Sequence, residues 1–89
     1  MDEWERPLPV GKRGKYTYTP DNKWLNGEPI TSPIVTASAG AAVESVVTDG
    51  EVIEVLLRGV TVGSQTVHFD YEAGGQSSCY AIKLNVRSC

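Results

Sequence analysis

Histidine is almost missing from this chain, and so is any pattern that would put it to chemical use. His68 stands alone, and the two cysteines, Cys79 and Cys89, keep apart from it and from each other. There is no Cys-x-x-Cys, no His-Glu-x-x-His and no phosphate-binding glycine loop ending in Lys-Ser or Lys-Thr. Ser64, Ser77 and Ser78 fall in turns, with no base and orienting carboxylate to make one of them a nucleophile. The expectation is therefore a non-enzymatic protein with no catalytic residue, no cofactor and no metal.

A basic excess is also lacking. The formal net charge is −3, which disfavours phosphate backbones and anionic membrane surfaces. Lys12, Arg13 and Lys15, followed by Tyr16 and Tyr18, come nearest to a nucleic-acid pattern, but the cluster is short. No apolar run approaches the roughly 20 residues of a membrane-spanning helix. The stretch Met1 to Arg6 is acidic where an export signal would be basic and then apolar. Neither nucleic acid nor membrane is expected as a partner.

Cysteine points the same way. Cys79 and Cys89 bracket one expected strand, which sets them roughly 30 Å apart if it is straight. A disulfide needs Cα atoms within about 7 Å. Both are read as free thiols of a protein assembled in a reducing cytoplasm, with Cys89 open to cross-linking between chains after oxidation.

What is present is alternation. Val67, Phe69 and Tyr71 alternate with His68, Asp70 and Glu72, and Tyr80, Ile82, Leu84 and Val86 alternate with Ala81, Lys83, Asn85 and Arg87. Each run has one apolar and one polar face, as a half-buried strand does. Gly74-Gly75 between them supplies the positive φ of a tight hairpin. Burying the apolar face of this ribbon yields less than the cost of ordering its backbone. A facing sheet must come from upstream.

Upstream, Tyr16-Thr17-Tyr18-Thr19 reads as a first strand and Trp24 as a plug at one end of the core. Ile30 to Ala37 is a second strand, placed at an edge by Pro33, which cannot donate to a ladder. Val43 to Thr48 and Glu51 to Arg58 form a third and fourth strand around Asp49-Gly50. Val52 and Leu56 make the fourth apolar on both faces, so it is either central or covered by a neighbour. Gly59 to Gly63 is a turn. His68, Asp70 and Glu72 on one strand are a solvated face, since steps of two spread them ~6.5–7 Å apart. Short strands with regular turn signals make the fold class all-β, a small sandwich over residues 16–89.

Residues 1–15 read as an extended arm, interrupted by Pro7, Pro9, Gly11 and Gly14. Trp4, Leu8 and Val10 are apolar with no evident place in the sandwich, and Lys12 and Arg13 follow them. These five are the candidate partner-binding residues, with Trp4 as the anchor.

From Tyr16 to Val86 the order of features resembles a family of small immunoglobulin-like proteins among the virion components of tailed bacteriophages. The resemblance runs through the tyrosine strand leading to Trp24-Leu25, the strand opening Ile30-Thr31-Ser32, and the glycine-bounded loop after Val52 to Leu57. It ends in the final strand Tyr80 to Val86. Asp21-Asn22-Lys23 stand where that family often has a further tryptophan, and Gly59 to Gly63 carries valines where it often has glycine and alanine. The strand Val67 to Glu72 is also less rich in threonine. The resemblance implies an immunoglobulin-like antiparallel β-sandwich that serves as a head-decoration, head-fibre or neck-associated subunit. Its implied partners are capsid or connector proteins and further copies of itself, in a particle assembled in the bacterial cytoplasm. The alternative expectation is an adhesion module contacting a cell surface or carbohydrate.

Overall fold

In the computed structural model, which describes residues 2–88 (the side chain of Asn22 apart), the C-terminal ribbon forms the longest pairing. Strands β7 (Gly63–Ala73) and β8 (Gln76–Arg87) pair antiparallel along their whole length, from Gly63 opposite Val86 to Ala73 opposite Gln76. Gly74 and Gly75 close the hairpin at φ 58° and 80°, the paired positive values of a two-residue turn that favours glycine. Val67, Phe69 and Leu84 on its inner face are wholly buried.

β4 (Ile30–Ala37) pairs antiparallel with β7 and forms the edge of this sheet. Its register shifts between Thr31 and Ile34, around Pro33 and a Ser32 at φ 51°. A bulge with proline is one way an edge strand is kept from pairing further. The facing sheet is β3 (Arg13–Tyr18), β6 (Ile53–Gly59) and β5 (Ala41–Thr48), with β6 in the middle. Ile53, Val55 and Leu57 point inward, while Val52 and Leu56 are half-buried on the outer side. The fourth expected strand is thus central, which answers its two-faced apolar pattern.

The first ten residues correct the expectation of an arm with no seat in the sandwich. β1 (Asp2–Glu3) and β2 (Leu8–Pro9) both pair parallel with β8, in register Glu3 to Lys83 and Leu8 to Val86. The chain then bridges to the other sheet at Val10 beside Gly59 and continues as β3, which begins at Arg13 inside the expected arm. Leu8 is 2% exposed. Trp4 and Val10 pack partly buried against the same core. Pairings only two residues long carry no alternation for a sequence pattern to show.

The order β1/β2-β8-β7-β4 facing β3-β6-β5 is an immunoglobulin-like sandwich whose first strand lies on the larger sheet. One helical turn, α1 (Asn22–Leu25), connects the sheets, opened by the Asp21 side chain accepting from Lys23 N–H at 2.9 Å. Leu25 is the buried plug at that end, with Trp24 half-buried and edge-on to Tyr71 at 5.4 Å. Among the described residues no polar or charged side chain is buried.

Candidate interaction surfaces

Seven aromatic residues occur in the chain, and the arm joins them into one seam. Trp4 lies 4.8 Å from Tyr16 and 5.9 Å from Phe69, and its indole N–H donates to Thr17 O at 3.0 Å. Tyr18 continues the seam, stacked on Tyr80 at 4.8 Å and sharing a 2.9 Å hydrogen bond with the Tyr71 hydroxyl. The Tyr80 hydroxyl donates to the Asp2 carboxylate, fastening the first residues to β8. The Tyr16 hydroxyl donates to Arg6 O.

These contacts fix the charge states. Burial, reinforced by the hydrogen bond to Tyr71, pushes Tyr18 well above the ordinary tyrosine value. Tyr16 is raised by burial against a smaller opposing pull from Arg6. Tyr80 is raised first by its hydrogen bond to Asp2, then by burial. All three hold their protons more firmly in the folded chain than in the unfolded one.

Of the expected partner-binding residues, the structure gathers Trp4, Leu8 and Val10 along the β8 edge, where they meet their own sandwich. Lys12 and Arg13 are exposed at one end of the molecule. Arg13 and Arg58 share Glu44 at 3.3 and 3.7 Å, leaving Lys12 and Arg87 without an ion pair among the described residues. Ion pairs this exposed contribute little to stability.

This basic end is made by three crossing loops. Gly11 N–H donates to Gly59 O at 2.8 Å, and Gly59 N–H returns a bond to Lys12 O at 3.1 Å. Val60 and Thr61 N–H both donate to Gly40 O, at 2.9 and 3.1 Å. Gln65 Oε1 holds the third loop through Gly40 N–H at 3.0 Å and the Ser38 hydroxyl at 2.7 Å. On this scaffold the glycine loop, read from sequence only as a turn, exposes Val60 (48%) and Val62 (56%).

The opposite end carries Asp21, Glu28, Asp49, Glu51 and Glu72, with Lys23 as its cation among the described residues. A cleft of about 460 Å³ opens there, lined by Leu25, Pro29 and Gly50 and by Glu28, Asp49 and Glu51. Asp49 Oδ1 accepts from Glu51 N–H at 2.9 Å and Val52 N–H at 3.0 Å, and these bonds, Glu51 first, hold its carboxyl below its usual value. His68, Asp70 and Glu72 line the outer face of β7, all exposed, and no group of three such residues could hold a metal among the described residues. Cys79 is an exposed free thiol on the same face, and Cys89 lies outside the described residues.

Two more exposed apolar side chains lie on the edge strands β4 and β5, Ile34 beside Asp70 on the outer face of the larger sheet and Val47 beside Glu54 on the outer face of the smaller one. Neither stood out in the sequence, where each is one apolar residue among several in an apolar strand. Compared with known proteins, the chain matches no family model and no curated protein.

Proposed function

We propose that the protein is a structural component of a tailed-bacteriophage virion. It docks on capsid or connector proteins as a decoration, fibre or neck-associated subunit, in many copies per particle. Its partners are proteins, and its working place is the virion.

The reading rests on the sequence resemblance described above. The observation that carries it is the long side formed by β4 and β5. Ile34 and Val47, exposed to 59% and 58%, stand on its two strands, one on the outer face of each sheet. Pro33 and the Ser32 bulge interrupt the β4 edge, so a partner meets this side through side chains and not by adding a strand. An edge with an exposed apolar side chain on each of its two faces suits a small subunit laid against a larger surface.

The test is to band particles of the phage encoding the chain and assay them for it by mass spectrometry and antibody labelling. The chain is expected at many copies per particle, and at lower occupancy when Ile34→Asp and Val47→Asp are combined. Its absence from banded particles overturns the proposal, and its recovery on the host cell surface would favour the adhesion reading instead.

A further inference from the structure

The two ends of the molecule are opposite in charge and in shape, and the strand registers show that they are truly opposite. β3 runs from Arg13, beside Arg58, to Tyr18, beside Ile53. β8 runs from Gln76 at the Gly74-Gly75 turn to Arg87 beside Pro9. The loops carrying Lys12, Val60, Val62 and Arg87 therefore lie at one pole of a body measuring 41 × 23 × 18 Å. The loops carrying Glu28, Asp49 and Glu51 lie at the other. The basic pole projects two exposed valines, and the acidic pole holds a cleft with Leu25 and Pro29 in its lining.

We propose that copies of this chain associate head to tail, the Val60–Val62 loop of one seating in the Glu28–Glu51 cleft of the next. Lys12 and Arg87 then face Glu28 and Glu51 across the junction. The occupant of each pole is a second copy because the same chain supplies both complementary surfaces. A head-to-tail contact of this kind is heterologous, so it builds a ring or a filament and not a closed two-fold dimer.

The size of the poles sets its strength. A 23 × 18 Å cross-section offers only about 300–400 Å² per face, so the junction buries well under the roughly 1,000 Å² of a stable complex. The contact is transient between free chains and persists where copies are already held in line. Its attraction is largely between exposed charges and is screened by salt. The inference concerns the chain alone and stands or falls separately from the virion reading.

Sedimentation velocity of the purified full chain in reducing buffer tests it, at concentrations on the order of 0.1–1 mM where contacts of this class form. At low salt the native chain is expected to form open-ended oligomers, weakened about tenfold on moving to high salt. Glu28→Lys with Glu51→Lys sets two bases where the basic pole would dock, and Lys12→Glu with Arg87→Glu sets two acids where the cleft would receive it. Each double variant alone is expected to stay monomeric, and an equimolar mixture to associate, which also shows that both are folded. Val60→Ser with Val62→Ser, carrying native charges, is expected to lose association. A native chain that remains monomeric at low salt overturns the inference. So do charge variants that associate alone, or fail to associate together while retaining native thermal unfolding.

Discussion

Trp4 shows how much one side chain of the first ten residues contributes. Its ring covers Tyr16 and Phe69, and its N–H satisfies a carbonyl of β3, so it ties the β8 edge to the facing sheet. Trp4→Ala is expected to lower unfolding free energy by about 2–3 kcal/mol, less than the loss of a fully buried aromatic because Trp4 is only partly buried. Trp4→Phe keeps most of the packing and should recover more than half of that in urea titrations. Gly59 is the companion residue. A Cβ there would lie 2.9 Å from Pro9 O and 3.2 Å from Val10 Cα, backbone atoms that cannot swing away. Gly59→Ala is expected to cost about 1–3 kcal/mol, read as a lower urea midpoint with unchanged slope. Neither role was legible in the sequence. Trp4 lies ahead of Pro7 and Pro9 in a segment without period, and Gly59 looks like any residue opening a turn.

At the scale of elements, the hairpin β7–β8 was legible because alternation and a Gly-Gly turn act locally and agree with each other. The Pro33 edge was legible for the same reason, since a missing N–H limits where a strand can lie. β1 and β2 were not, because their parallel pairing with β8 depends on residues about 80 positions away and leaves no local signature. The tyrosines between these elements make a pH prediction. Tyr18, Tyr16 and Tyr80 have folded-state values above their unfolded value of 10.0. The folded chain thus binds more protons than the unfolded chain once pH exceeds that value, and stability falls with rising pH there. Below it, both states keep the proton and the tyrosines contribute no slope. Urea midpoints should be flat in this respect up to about pH 10 and decline above it. Tyr18→Phe should flatten the decline. An equally steep alkaline limb in that variant would show that the seam does not control it.

As a whole molecule, the chain spends its first ten residues on its own fold, and that changes which surfaces are left for others. The aromatic anchor expected to reach outward is turned inward, and Leu8 fills the core beside Val86. What remains outside is Ile34 and Val47, on opposite faces at the β4 and β5 edges, and two poles of opposite charge. The poles were invisible in a net charge of −3, because the total hides how strand direction sorts acids to one end and bases to the other. Deleting residues 1–10 should therefore destabilise the sandwich by more than Trp4→Ala alone, with Leu8 accounting for about 2–5 kcal/mol of the loss. Thermal unfolding of the truncated chain, compared with the full one, reads that difference directly.

Amide hydrogen exchange on the isolated full chain tests this inward assignment most directly. Trp4 N–H bonds to Lys83 O at 3.1 Å and Val10 N–H to Arg87 O at 2.7 Å, so both should exchange slowly, in step with neighbouring amides of β8. Exchange of these two amides at the rate of an unstructured peptide, while β7 and β8 stay protected, would contradict the account.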